Sequence, residues 1–167
     1  DAVIAEAAEY GAGLIVSHHP VCFTPMKSVT TGDLTGRKFV AMLEHGLSAI
    51  CMHTNLDAAQ DGVNDALCAA LGAENLGLLA PENDGISRLC RLSEPEDFTA
   101  FLTRVKSALG ANGLRYAGPE KPVQLFGICG GSGADSLMAA KDRGCDAFVT
   151  ADVKHHQFIW ADELDID

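Results

Sequence analysis

Long apolar runs are missing from this 167-residue sequence. None approaches the ~20 residues that a membrane-spanning helix needs. The opening Asp-Ala-Val-Ile-Ala-Glu has no basic segment of the kind that starts a secretory leader. A basic cluster is missing too: 12 Lys and Arg are scattered as singles against 23 Asp and Glu, for a net charge of −11. A phosphate backbone is held by a basic surface, so nucleic acid is not an expected partner unless a metal supplies the positive charge. No two of the six cysteines form a C-x-x-C pair, which argues against a zinc knuckle or a disulfide framework and for reduced thiols in the cytoplasm. There is no low-complexity tract and no fixed-period repeat. What remains, 47% apolar and 21% charged residues, is the composition of a folded domain.

The local order is helix, glycine, strand, polar cluster. Residues 2–10 have helical spacing and stop at Gly11, leading into a strand over 13–17. A second helix over 35–45 closes at Gly46 and leads into a buried strand over 47–52. A third helix runs from 61–64 to Leu71. Residues 72–85 read as loop, and 88–92 alternate like an edge strand. Glu94-Pro95-Glu96-Asp97 reads as a helix start with Pro near the first position, and that helix ends at Gly110. Residues 114–117 and 123–129 read as strands, 134–143 as a helix and 147–150 as a final strand. This rhythm predicts a three-layer α/β fold, with two related α/β halves around mostly parallel or mixed sheets. The halves, about 1–80 and 81–167, echo each other within a single domain.

Chemistry gathers at the strand ends, where α/β folds place their sites. His18 and His19 leave a short apolar strand, and Pro20 ends it because proline has no N–H to give the ladder. Neighbouring residues in a strand point to opposite faces, so both imidazoles reach one site only where the chain turns, as it does here. The bland alternative is one imidazole bonded to a carbonyl and the other in solvent. Two adjacent histidines favour metal ligation, and each can reach a different ion of a pair ~3.5–4 Å apart. Asp57 is either an Asx-turn or cap residue or the oxygen ligand beside those histidines. His53 and Asn55 are candidates to orient a ligand. Cys129-Gly130-Gly131-Ser132-Gly133 offers backbone N–H groups to an anion, or is a tight turn with Ser132 as a helix cap. In the cluster Asp152, Lys154, His155 and His156, one histidine is a candidate general acid or base, against a solvated helix entry.

Four stretches, in order, resemble one family. They are Ser17-His18-His19-Pro20, His53-Thr54-Asn55-Leu56-Asp57 with Gly62-Val63-Asn64-Asp65, Cys129-Gly130-Gly131-Ser132-Gly133, and Thr150-Ala151-Asp152-Val153-Lys154-His155-His156. The chain is similar to the NIF3-like proteins, often labelled GTP cyclohydrolase type 2 homologues. The resemblance implies a dinuclear centre of two divalent ions in a ring-shaped homohexamer, with His18, His19 and Asp57 as ligands. Zinc, iron, manganese and nickel are not distinguished by these ligands. It further implies His156 as a site-lining histidine and His155 in place of a more usual tyrosine; Ser132, Lys154 and His155 are candidates to support a ligand or bind substrate. Two further family ligands, in a Gly-His-x-x-x-Glu segment, have no counterpart here, and neither does the segment before the first helix. The sequence therefore reads as a piece of a longer protein, in which three ligands would bind metal weakly or singly. The functional expectation is a metal-dependent hydrolase acting on a small molecule, such as a nucleotide. The alternative is a metal-binding regulatory or assembly protein without dedicated turnover.

Overall fold

The computed structural model describes residues 1–82 and 85–167. It is a mixed α/β structure with two small sheets, and the chain divides into two compact units, Asp1–Leu56 and Asp57–Asp167. The division falls at 56/57, well before the midpoint that the helix–strand rhythm suggests.

The first unit runs α1 (Ala2–Glu9), β1 (Leu14–Ser17), α2 (Gly36–Glu44) and β2 (Ser48–Cys51). Both helices end in a glycine with positive φ, Gly11 at 66° and Gly46 at 64°, the left-handed position that only glycine takes without strain. Each helix is thereby turned into the strand that follows it. Asp33 caps α2 by accepting from the Gly36 and Thr35 N–H groups at 2.6 and 3.0 Å. These bonds, Gly36 first, outweigh the opposing desolvation and hold its carboxyl below the usual carboxylate range. β1 and β2 are parallel, with Leu14 opposite Ser48 and Ser17 opposite Cys51. Ile4, Met42 and Leu47 form the core, with Ile15 packed against it.

Contrary to the expected buried strand over 47–52, only Leu47 is buried, and Ser48, Ala49 and Ile50 are exposed. Val16 on β1 is likewise 63% exposed. The helices contribute apolar side chains to the face that carries Ile15, and the face that carries Leu14, Val16 and Ile50 is left open.

α3 (Thr54–Ala58) carries the chain into the second unit, which continues through α4 (Val63–Ala70), β3 (Glu74–Leu78), β4 (Arg88–Glu96), α5 (Phe98–Ala108), β5 (Val123–Ile128), a 3-10 turn (Ala134–Ser136), α6 (Leu137–Asp142), β6 (Ala147–Val149) and α7 (His155–Leu164). The sheet order is β3-β4-β5-β6, antiparallel except for the parallel β5–β6 pair. Alternation along β4 and β5 divides the apolar side chains between two cores. Cys90, Leu92, Phe126 and Ile128 pack with Cys68 of α4 and Phe98, Phe101 and Val105 of α5. Leu89 and Leu125 pack instead with Leu137 and Ala140 of α6 and Leu164 of α7.

Four expectations change here. The loop expected over 72–85 contains β3, disguised by its Gly77 and by a register shift between Asn75 and Leu78; Asn83 and Asp84 lie outside the described residues. The stretch 88–92 is not an edge strand but part of a central one, paired on both sides. That strand runs on through Pro95, so the helix does not begin at 94–97. The register shift between Arg91 and Glu96 accommodates the missing proline N–H. Asp97 alone serves as the α5 cap, accepting from the Thr99 N–H at 3.1 Å. Residues 114–117 form no strand. Their side chains are used singly: Tyr116 packs edge-on against Phe98 at 5.1 Å between ring centroids, and Arg115 lies over the Phe158 ring.

All six cysteines are free thiols. Cys68 and Cys90 meet in the first of the two cores, where the Cys68 thiol and burial push the Cys90 thiol far above its ordinary value. Burial raises Cys145 to about 12.

Candidate metal centre

The parallel register of β1 and β2 builds the site. Because Ser17 lies opposite Cys51, the residues leaving the two C-terminal ends are delivered side by side, and the Met52 N–H donates to the Ser17 carbonyl at 2.7 Å. His18 and His19 leave one strand while His53 leaves the other. Two side chains hold the turn. The Ser17 hydroxyl donates to the His19 carbonyl at 2.8 Å, and the Cys51 thiol donates to the His18 carbonyl at 2.9 Å. The three rings lie 5.0 Å (His18–His19), 5.1 Å (His18–His53) and 5.4 Å (His19–His53) apart between centroids.

One ring nitrogen from each histidine lies within 4.8 Å of one from each of the others. Ligand atoms on one tetrahedral ion, with metal–nitrogen bonds of ~2.0–2.1 Å, stand closer together than that span, so the rings would turn inward for all three to reach one ion. Imidazole is a borderline donor that suits zinc, iron, copper or nickel rather than calcium or magnesium. His19 is exposed and His53 half-buried, which leaves the cluster open on the solvent side. Phe23, 70% exposed, stands over it with ring centroids 5.6 Å from His53 and 5.9 Å from His19.

His53, expected to orient a ligand from behind, therefore sits among the ligand candidates themselves. Its signal was in the sequence, as the residue two places beyond the second strand. Using it required knowing that β1 and β2 are neighbours in this register. Asn55 contacts the Met52 sulfur at 3.7 Å. Asp57 lies on α3, four residues beyond His53, at the start of the second unit.

Within the second unit, the sequence reading did not anticipate the role of Asn64. Fully buried, it donates to the Asp57 carbonyl at 3.1 Å and accepts from the Gly130 N–H at 2.8 Å, tying α3 to the turn after β5. Beside it, Asp65 pairs with the buried Arg88, which also donates to the carbonyls of Ala58, Ala59 and Ile86. Burial works to raise the Asp65 carboxyl, but hydrogen bonds from Arg88, the Asp61 N–H and Asn75 outweigh it and hold it below the usual range.

The glycine turn 130–133 spends N–H groups internally: Gly130 donates to Asn64, and Gly133 donates to the Thr150 hydroxyl at 2.9 Å. A side chain at Gly133 would collide with Cys129, so close packing alone demands glycine there. Ser132 is exposed, and Gly133 and Ser136 rather than Ser132 stand at the helix starts. Lys154 precedes α7, with its N–H bonded to the Gln157 side-chain oxygen at 2.8 Å. His155 and His156 are exposed in the first turn, and the His156 ring meets Trp160 edge-on at 4.8 Å.

The family model described as Duf34/NIF3 (NGG1p interacting factor 3) matches residues 1–167. A GTP cyclohydrolase 1 type 2 homolog of Clostridium acetobutylicum is 33% identical over 170 residues, covering 98% of this chain and 63% of the relative. One from Clostridium perfringens is 35% identical over 160 residues, covering 92% and 61%. The chain thus spans less than two thirds of these relatives' length. Among solved structures, the Staphylococcus aureus hypothetical protein SA1388 superposes with a TM-score of 0.88 at 25% identity, over 99% of this chain and 68% of that one.

Proposed function

The chain belongs to the Duf34/NIF3 (NGG1p interacting factor 3) family, and from that footing we propose that it binds divalent transition metal at the His18–His19–His53 cluster and serves a metal-dependent hydrolase. The observation that carries this reading is the meeting of three imidazole nitrogens within 4.8 Å at the ends of two parallel strands. Three protein ligands with an open side is the pattern of catalytic rather than structural sites, which close with four. In the dinuclear form of the proposal, Asp57 supplies an oxygen ligand to a second ion.

When bound, the metal would supply Lewis-acid polarisation of a substrate oxygen and a lowered pKa for water. The chain's own residues do the rest. Ser17 and Cys51 lock the backbone that aims the histidines, so little reorganisation accompanies binding. Phe23 covers one side of the cluster and limits water there. By the family resemblance, His156 is the candidate to move a proton, and Lys154 and His155 are candidates to bind substrate. Ser132 and Asn55 are assigned to substrate contact or ligand support. The relatives' name makes a nucleotide ring the first substrate class to try, in a cytoplasmic homo-oligomer, with a hexameric ring as the assembly.

The test is elemental analysis of purified chain and of the His18→Ala/His19→Ala double variant, followed by nucleotide hydrolysis assays with each of zinc, iron, manganese and nickel. About two ions per chain, lost in the variant, together with metal-dependent turnover, is the expected result. One ion per chain would remove the dinuclear form. Bound metal without turnover on any nucleotide would favour the metal-binding assembly role. No metal in either protein would end the proposal.

A further inference from the structure

The second unit holds an apolar cavity of about 110 Å³ that the metal centre does not use. Phe98 and Phe101 of α5, Phe148 of β6 and Phe158 of α7 line it, and Tyr116 closes it from the irregular segment between α5 and β5. An apolar cavity of ~150 Å³ takes up benzene, so this one has the scale of a small organic body. Tyr116, at 52% exposure, brings one wall to the surface.

The polar groups on the walls are nearly all committed elsewhere. The Asp167 carboxylate accepts from the Glu120 and Lys121 N–H groups at 2.7 and 2.9 Å. The Gln157 amide is bonded to the Lys154 N–H and to Asp135. The Thr150 hydroxyl donates to the Gly131 carbonyl and accepts from the Gly133 N–H. Arg115 is the exception. It lines the cavity with its guanidinium 4.7 Å over the Phe158 ring, and no carboxylate among the described residues pairs with it. A guanidinium stacked on a ring keeps its N–H edge in plane, where it can meet a carboxylate with two parallel hydrogen bonds.

We propose that this cavity binds a small monocarboxylate with an aryl or branched-chain body, the carboxylate on Arg115 and the apolar end among the rings. The site lies wholly within the second unit and does not depend on the metal reading.

The test is NMR titration of the 15N-labelled chain with phenylacetate and with its neutral isostere phenylacetamide. Saturable shifts are expected at Phe101, Tyr116, Phe148 and Phe158, with the acid bound about tenfold more tightly than the amide. Arg115→Gln should lower acid affinity to the amide's level and leave the amide unchanged. Leu102→Phe, which narrows the cavity, should weaken both. No saturable binding of phenylacetate, or equal binding of acid and amide by the unaltered chain, would overturn the proposal. So would concentration-dependent shifts at these residues without ligand, which would mean that a second copy of the chain occupies the cavity.

Discussion

His53 and His45 are both histidines of the first unit, yet their surroundings assign them different work. His45 is an exposed residue at the end of α2, whereas His53 shares a cluster with His18 and His19. His53→Ala is expected to lower metal affinity by at least roughly tenfold, and His45→Ala to leave it unchanged, in a competition titration against a chromophoric chelator. Because a metal displaces protons from imidazole, acidification should weaken binding to the unaltered chain and matter less once His53 is gone. The buried Arg88–Asp65 pair is a matter of stability rather than chemistry. Removing Arg88 leaves Asp65 and several carbonyls without their donor, so Arg88→Ala should cost about 3–5 kcal/mol in urea unfolding. The folded Asp65 carboxyl titrates below its unfolded value of about 3.9, so its contribution is complete above that value and is lost as pH falls through the lower, folded one. Asp65→Asn should therefore flatten the acid limb of the stability profile below about pH 4 while lowering the plateau above it. An unchanged acid limb would remove Asp65 from the account.

At the scale of elements, β4 and α5 are joined without a loop. Pro95 cannot donate to the ladder, the register slips there, and Asp97 at once caps the helix. Arg104 reaches back from α5 to pair with Glu96, whose carboxyl that hydrogen bond holds below its ordinary range, and it also donates to the Leu71 carbonyl at 3.1 Å. Strand, cap and helix thus form one rigid corner. Asp97→Ala should cost ~1 kcal/mol in thermal unfolding, and Asp97→Ser much less, because serine restores a cap acceptor. Equal losses for both variants would assign the effect to something other than the cap. The proline that reads as a helix starter in isolation is a strand residue because the β5 pairing resumes beyond it, at Glu96 opposite Val123. Likewise Leu114-Arg115-Tyr116-Ala117 has strand-like composition and forms none, since its side chains are taken up by Phe98 and Phe158.

At the scale of the whole molecule, the two units carry different amounts of core. The first packs Ile4, Met42 and Leu47 with a few half-buried neighbours, whereas the second holds two cores on opposite faces of its sheet. Small cores open locally at lower cost. Hydrogen exchange is expected to be faster across Asp1–Leu56 than in β4 and β5, and added zinc should slow it at 17–19 and 51–53 while leaving β4 and β5 unaffected. The metal contributes only to the state that holds its ligands together, and that contribution falls on the unit which has the least of its own. Exchange that is uniform across the chain, or unmoved by zinc at those positions, would contradict this division.

The sequence alone sufficed for what is local. Glycine-terminated helices, short apolar strands, reduced cysteines and the histidine pair before Pro20 follow from spacing and residue type, and the four ordered motifs were enough to indicate the family. Tertiary structure decided whatever depends on which strands are neighbours. The parallel β1–β2 register put His53 beside His18 and His19, and pairing on both sides made 88–91 central. The same packing turned Asn64 and Asp65 from a motif into a brace. Local patterns carry the periodicity of an element, but adjacency is set by which apolar faces bury each other, and that is a property of the packed whole.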